Sequence, residues 1–384
     1  MVNPRPSSHP SLRLSARGLA SALVLPLPLT LALALASSQA GAAENGLQRY
    51  SPGGGGSDMT APLVPGWYVQ VPLVAYHASK IKGNDGKQAT SATPVDAQGP
   101  VPAQPGLRSN IGIAADTYAL LPRLTYLSAH RVLGANVGFT VMLPVMNRRA
   151  NFTASPNFAG TPYASGGPAA GFQPLVTAGI NARVDATQDG DQSGLGDLEV
   201  SPVLHWEIGD HQAVTFAPTV VLPTGNYNVS RRVNTGYGNF YTFRPSVQYS
   251  FVGDGWDVGA RTVLSFNTRN KDNGYYSGNM FNLDWQAMAF VSDNWRVGLQ
   301  GYFVRQLSRD TQNLSGFTAT EITDRNLRKE IISGNKSRVN AIGPAVGWLM
   351  NGGEMMVEGK FLREFGARNR TEGQAFWLTV SKPL

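Results

Sequence analysis

His77 and Ser79 are spaced as a catalytic base and its nucleophile can be. Only Ala78 separates them, a spacing that some membrane-bound lipid hydrolases use. An activated serine needs its histidine to be oriented by a third group, and the sequence assigns no Asn or acid to that role. We therefore interpret His77 as an interfacial histidine at a strand end, and keep lipid hydrolysis as an alternative activity.

An acidic stretch from Asp189 to Glu199 resembles part of a calcium-binding loop. Asp189, Asp191 and Gly194 match the first half of the spacing, and carboxylates suit a hard cation. The final carboxylate comes one residue early, and helical flanks are absent. We interpret the stretch as a solvated acidic loop that leads into a strand. The histidines show no zinc spacing and no nucleotide-binding glycine loop precedes a helix, so we predict no metal and no cofactor.

Ten ionisable side chains of both signs fall on the polar phase of alternating segments, and we predict that they face a shared interior. Pairing of strands across loop 269–277 would bring two of them, Arg261 and Asp284, close together. They could select solutes by charge and hydrogen bonding. Alternatively, they could be mutually paired groups that fill a narrow barrel. The ten residues are Arg123, Glu199, His205, Arg244, Asp257, Arg261, Asp284, Arg296, Glu358 and Lys360.

Strands must position these side chains, and a period of two begins at Gly66. Within Arg131–Asn147 the odd positions from Leu133 to Val145 are apolar, and the even positions are polar or small at several sites. Similar alternation recurs near 198–208, 214–222, 241–251 and 281–291. Soluble strands commonly have about five or six residues, whereas crossing a bilayer at a tilt takes about 9–11. The lengths therefore favour strands that cross a membrane.

The connections between the alternating segments are short and long in strict succession. This asymmetry, with aromatic residues such as Trp67, Tyr68, Trp256, Trp295 and Phe376 near strand ends, is typical of outer-membrane barrels. We predict an all-β fold, a transmembrane antiparallel up-and-down β-barrel of about 12 strands with short periplasmic turns and long extracellular loops. A secreted or periplasmic β-sandwich is the alternative. The short turns are 128–130, 209–211, 253–255, 292–294 and 351–353, and the long loops lie near 79–111, 148–194, 225–237, 269–277, 309–335 and 367–372.

The N-terminus predicts export. Three arginines precede an apolar run from Leu19 to Ala36, and Ala40-Gly41-Ala42 fits a cleavage site, so residues 1–42 are predicted to be a signal peptide. Residues 43–65 are rich in Gly and Pro, and could be a plug inside the barrel or a periplasmic lead-in. Gly53–Gly56 is interpreted as a flexible stretch. The barrel is predicted to span 66–384, and no helix signal in it is strong.

Composition limits the partners. The chain has no Cys, which excludes a disulfide framework and a lipoprotein anchor. Its net charge of +7 comes without a block of Lys and Arg, so nucleic acid is a poor partner. We expect a monomer in contact with the lipid of the outer membrane of a Gram-negative cell.

Several short motifs resemble one known family. Glu44-Asn45-Gly46, Pro65-Gly66-Trp67-Tyr68-Val69, Gly194-Leu195-Gly196-Asp197-Leu198 and Leu222-Pro223-Thr224-Gly225 resemble, in order and spacing, proteins of the meta-pathway of phenol degradation. The resemblance implies a channel-like outer-membrane protein for passive uptake of small hydrophobic or aromatic solutes, without catalytic residues. An outer-membrane lipid hydrolase and a non-conducting structural or adhesion barrel are the alternatives. One departure is the C-terminal Leu384, where an aromatic residue is usual.

Overall fold

The computed structural model describes residues 48–59, 64–95, 101–188, 190–324, 336–350 and 354–384. The predicted signal peptide and turn 351–353 lie outside these ranges. Within them, the helices are too short or too polar to span a bilayer.

A single antiparallel sheet closes on itself to form the wall of a barrel. The first strand pairs with the last in a register that runs from Tyr68↔Pro383 to Lys82↔Arg370. The wall consists of twelve membrane crossings, which confirms the predicted number of strands and the closure of the barrel. The strands are β1 (Gly66–Lys82), β2 (Thr90–Val95), β3 (Gln104–Leu120), β4 (Arg123–Val132), β5 (Ala135–Met142), β6 (Val145–Pro156), β7 (Gly190–Leu195), β8 (Glu199–Ile208), β9 (Gln212–Val221), β10 (Thr242–Gly253), β11 (Trp256–Asn267), β12 (Tyr275–Tyr276), β13 (Met280–Phe290), β14 (Trp295–Gln306), β15 (Thr311–Gln312), β16 (Arg338–Met350), β17 (Met355–Arg368) and β18 (Arg370–Pro383).

Three of the twelve membrane crossings are each built from two consecutive strands. β3 continues into β4, β5 into β6 and β7 into β8, and the interruptions lie side by side at 121–122, 143–144 and 196–198. Proline supplies no N–H to a ladder, which accounts for the breaks at Pro122 and Pro144. Backbone bonds bridge the breaks, because the carbonyl of Pro144 accepts from Gly196 N at 2.8 Å.

The two faces of the wall have opposite character. On β14, Leu299 is 47% exposed whereas its neighbour Gln300 is 1% exposed. The exposed apolar side chains form a lipid-facing belt, and the polar ones face the interior, as a transmembrane barrel requires. Aromatic residues gather at the short-turn end, where Trp295 stacks on Trp348 at 5.5 Å between ring centroids. The predicted alternation and fold class are confirmed.

Two predicted connections are wrong in detail. Residues 128–130 form a bulge within β4, and the turn lies at Leu133 and Gly134, both with positive φ. Segment 367–372 is not a long loop, since β17 and β18 are joined directly by Asn369, whose φ is 51°. In both hairpins the turn residue adopts a left-handed conformation that lets the strands run further than the polar composition suggests.

The long-loop end carries structure that the sequence did not predict. Helix α1 (Gln173–Gln188) follows a short 3-10 turn and packs on β6, and a shorter helix, α2 (Ala319–Asp324), lies in a later loop. The low amphipathicity of α1 hides it from a periodicity analysis. Its buried side chains join residues of β3, β6 and the neighbouring loops in a small apolar cluster at the long-loop end, which contains Val101, Leu107, Ala154, Tyr163, Ala169, Val176 and Ile180.

Closure by β1 and β18 can be tested with engineered cysteines, because the chain has none of its own. Val71 and Val380 are register partners. Paired residues have Cα atoms about 4.5–5.5 Å apart, within the range of a disulfide. We expect Val71→Cys with Val380→Cys to form an intramolecular disulfide, detected as a linked peptide by mass spectrometry. The control pair is Val71→Cys with Val357→Cys, which lies one strand further away. Equal linkage in both pairs would contradict the closure.

Candidate functional site: the lumen and its plug segment

Residues 48–59 lie inside the barrel, and we call them the plug segment. Arg49 forms a 3.0 Å ion pair with Asp197, close to the long-loop end of the wall. Asp58, near the other end of the segment, forms a 2.7 Å ion pair with Arg123 on β4. Both ends of residues 48–59 therefore contact side chains on the inner face of the wall.

Asp284 on β13 holds the middle of the plug segment. Its carboxylate accepts hydrogen bonds from Tyr50 Oη at 2.6 Å, Gly53 N at 3.0 Å and Gly55 N at 2.9 Å. Hydrogen bonds to a charged group each contribute about 1.5–3 kcal/mol. Asp284 is buried, so these three bonds form a strong attachment between the segment and the wall.

The glycine run of the segment is required by close approach to the wall. Gly53 has a φ of 82°, and a Cβ there would lie 2.7 Å from Leu362 Cδ1. A Cβ on Gly56 would lie 2.2 Å from Glu358 Oε1. The carbonyl of Gly55 accepts a hydrogen bond from Lys360. Gly53–Gly56 therefore packs closely against the wall, and the positive φ values of Gly53 and Gly56 favour glycine at both positions.

Asp58 provides the second attachment. Its carboxylate receives Arg123 at 2.7 Å and also pairs with Arg261 on β11. Burial disfavours the charged carboxylate, but the two guanidinium groups outweigh it and lower the pKa of Asp58 to about 2. Asp58 therefore stays ionised at neutral pH.

The two carboxylates at the end of the acidic stretch have structural partners. Asp197 accepts backbone hydrogen bonds from Gly225 N at 2.9 Å and Tyr237 N at 3.1 Å, in addition to its ion pair with Arg49. Glu199 pairs with Arg244. These residues fix the inward loop after β9 rather than forming a solvated loop. Asp189 lies outside the described residues, among which no group of three acidic or histidine side chains is placed to hold a metal.

A further cluster of ion pairs, which does not involve the plug segment, joins β11, β14 and β17. The guanidinium of Arg296 pairs with both Asp257 and Glu358, and all three side chains are fully buried. Gln286 Nε2 donates to Asp257 at 2.6 Å. Buried charges are tolerated when they are paired and hydrogen-bonded, and these contacts supply partners for all three charges.

The structure places all ten ionisable residues of the sequence analysis on the inner face. Arg261 stands directly opposite Asp284 in the register, but each of them is bonded to the plug segment instead. His205 contacts Thr215 at 2.8 Å. The sequence did not reveal Tyr50, Asp58 and Asp197 as site residues, because their partners are distant in the chain. The only signal for the first two was an aromatic and an acidic side chain at either end of a glycine run.

A cavity of about 540 Å³ lies between the plug segment and the short-turn end of the barrel. Tyr50 and Asp58 of the plug segment contribute to its lining. Small hydroxyl and apolar side chains make up much of the wall, among them Thr125, Thr140, Ser201, Val203, Ala217, Thr219, Ser246 and Val263. Thr125 and Thr140 are joined by a hydrogen bond of 2.8 Å.

His77 and Ser79 lie outside the lumen, at the long-loop end of β1. Asp116 on β3 supplies the orienting acid that the sequence did not reveal, with an oxygen 2.7 Å from His77 Nδ1. Ser79 is exposed and coincides with a bulge in the pairing of β1 with β18. Within the described residues, Ser79 makes no hydrogen bond to His77. The base and its acid are thus present without an engaged nucleophile.

Comparison with known proteins identifies the family of this chain. A family model described as "Putative MetA-pathway of phenol degradation" matches residues 87–380. The chain belongs to this family. The match covers the wall from the first extracellular loop to the last strand, and it confirms the resemblance seen in the motifs. Among curated proteins, none matches the chain in sequence.

Solved structures share the fold at low identity. An outer-membrane channel from Pseudomonas putida F1 is 13% identical, with a TM-score of 0.54, 86% of this chain covered and 99% of the other. A FadL homologue from Pseudomonas aeruginosa is 10% identical, with a TM-score of 0.37 and coverages of 90% and 99%. The CymD monoaromatic hydrocarbon channel is 9% identical, with a TM-score of 0.37 and coverages of 84% and 89%. The first likeness supports an outer-membrane barrel fold.

Removing the carboxylate of Asp284 should loosen the plug segment. Asp284→Ala leaves Gly53 N and Gly55 N without their acceptor, at a cost of about 1–3 kcal/mol for each buried donor. We expect a several-fold higher single-channel conductance in planar bilayers, and faster maleimide labelling of a cysteine introduced by Ser51→Cys. Asp293→Asn, in an exposed short turn, is the control and should leave both unchanged. Unchanged conductance and labelling in Asp284→Ala would contradict the attachment.

The attachment at Asp58 should be insensitive to pH over the neutral range. A carboxyl whose pKa is lowered in the folded state stabilises that state above its ordinary pKa of about 4, and the stabilisation is lost as the pH falls through about 2. Conductance in planar bilayers should therefore stay constant from pH 8 to pH 5 and rise only in strong acid. A conductance step between pH 5 and pH 7 that disappears in Asp58→Asn would contradict this assignment.

Proposed function

We propose that the protein is an outer-membrane channel for the passive uptake of small, weakly polar or aromatic compounds. The observation that carries the proposal is the cavity between the plug segment and the short-turn end. Its wall combines apolar side chains with scattered hydroxyl groups, and its volume of about 540 Å³ lies within the range of sites that bind small organic molecules.

Most of the charged side chains that line the cavity stand in ion pairs; among the described lining residues Lys382, at the short-turn end, is the exception. Arg123 and Arg261 pair with Asp58, and Arg244 pairs with Glu199. A solute therefore meets few uncompensated charges, and a small anion or cation would have to displace an ion pair to bind tightly. A phenol-like molecule can instead place its ring against Val203 and donate its hydroxyl to a Ser or Thr.

Movement of the plug segment is the gating step in this proposal. The segment spans the lumen between Asp197 and Arg123, so a solute passing along the barrel axis requires part of it to move. The hydrogen bonds to Asp284 and the ion pairs of Asp58 set the energy of that movement. No energy source is invoked, since diffusion down a gradient suffices for uptake.

Two comparisons are in line with the proposal. The family description refers to phenol degradation, and the barrel from Pseudomonas putida F1 is described as an outer-membrane channel. Uptake of an aromatic growth substrate is a step that such degradation needs. The ten inward ionisable residues then act as elements that shape the pathway and hold the plug segment, rather than as catalysts.

Filling the cavity should block uptake. Ser246 on β10 faces the cavity, whereas the next residue, Val247, faces lipid. In Gram-negative cells that lack their general porins, Ser246→Trp should lower the initial uptake rate of radiolabelled phenol at least several-fold. Val247→Trp, which places the same side chain on the outside, should retain the parent rate. The proposal fails if the parent protein carries a labelled sugar as fast as phenol, or if both variants behave alike.

The hydrolase alternative makes a separate prediction, which the same preparation can test. It requires ester hydrolysis of a phospholipid in detergent micelles that Ser79→Ala abolishes. We expect no hydrolysis by the parent protein. The adhesion alternative requires that a deletion within 148–194 abolishes binding of a partner while phenol uptake is unchanged.

A further inference from the structure

Three arginines stand side by side on the outer surface at the long-loop end. Arg305 at the end of β14 is the register partner of Arg338 at the start of β16, and Arg338 is the partner of Arg368 at the end of β17. Their neighbours in sequence, including Val304 and Val339, are fully buried towards the interior. Strand alternation therefore directs the three guanidinium groups outwards.

No described carboxylate lies within ion-pair distance of these arginines. Arg305 donates to the carbonyls of Val304 at 2.7 Å and Val339 at 3.1 Å, and to Asn340 Oδ1 at 2.6 Å, all of which are uncharged. Like charges directly opposite each other destabilise a sheet. Three adjacent positive charges therefore lower the stability of the sheet, unless an anion from outside the chain neutralises them.

Beyond β18, the next strands of the wall show the usual arrangement at the long-loop end. There His77 contacts Asp116 at 2.7 Å, Asp116 is the register partner of Arg149, and Arg149 is the partner of Asp191. Acidic and basic groups alternate from strand to strand, so that surface neutralises itself. The row of Arg305, Arg338 and Arg368 is therefore a local feature and not a general property of the rim.

Apolar side chains continue the surface below the arginines, towards the middle of the membrane. Phe303 and Phe365 each stand opposite Asn340, one step below the arginine row, and Phe365 is 50% exposed. Ile342 continues the same outward face of β16. On β17 the exposed Arg363 is the register partner of Ile342, so the surface below the arginine row is mainly apolar and carries one further positive charge.

We propose that this surface binds the phosphorylated glycolipid of the outer leaflet, lipopolysaccharide, with its phosphates on Arg305, Arg338 and Arg368 and its acyl chains on the phenylalanines below. Guanidinium groups bind phosphate through paired hydrogen bonds, which makes arginine the suited residue. Neighbouring strands lie about 4.8 Å apart, so the row spans roughly 10 Å and can contact more than one phosphate oxygen cluster. Long loops mark the extracellular end, where this lipid is found.

The test uses the refolded full chain in detergent with bis-phosphorylated lipid A as the probe. Native mass spectrometry would measure the bound fraction for the parent protein and for Arg305→Gln, Arg338→Gln and Arg368→Gln combined. A triple control, Lys80→Gln with Arg108→Gln and Arg149→Gln, removes the same charge from exposed positions elsewhere at that end. Retained heat-dependent mobility on a gel would show that each variant is folded.

We expect the triple variant of the row to lose at least ten-fold in apparent affinity for lipid A, and the control to lose less than two-fold. Lipid A without phosphates should bind the parent as weakly as lipid A binds the triple variant. Equal losses in the two triple variants would overturn the proposal, since the effect would then be one of net charge. Equal binding of phosphatidylglycerol and lipid A to the parent would also overturn it, because the surface would then recognise any anionic lipid.

Discussion

The central constraint on this protein is that a backbone inside a bilayer must satisfy every N–H and C=O group within the protein. A sheet does so only when it has no edges, and the pairing of β1 with β18 removes both edges. Every other feature follows from that closure. It separates an outer surface that contacts lipid from an interior that is shielded from it, and thereby allows Leu299 and Gln300 to face opposite environments one residue apart.

The enclosed interior must neutralise the charges that it contains. Some of them are neutralised within the wall, as in the cluster of Arg296, Asp257 and Glu358. Others are neutralised by the plug segment, which brings Asp58 to Arg261 and supplies donors to Asp284. The plug segment is therefore as much a part of the electrostatics of the barrel as it is an obstacle in its lumen.

The same requirement applies to the outer rim, where lipid headgroups replace protein partners. On β1, β3 and β6, Asp116 lies between His77 and Arg149, and Arg149 in turn faces Asp191. On β14 and β16, Arg305 and Arg338 are neighbours without a described carboxylate. Inside the barrel, the plug segment neutralises charges of the wall. On the outer surface, the arginine row is left to pair with groups of the membrane.

The sequence by itself determined the strand alternation, the number of crossings and the inward phase of residues such as Arg244 and Asp284, because these depend on local periodicity and on the length of segment needed to cross a bilayer. It also carried the family motifs. Only the tertiary structure decided which charges are partners: the pairs Arg49 with Asp197 and Asp58 with Arg261 join residues far apart in the chain. The bulge at 128–130 and the turn at Asn369 were likewise decided by strand pairing, since a local pattern does not specify which strand lies opposite.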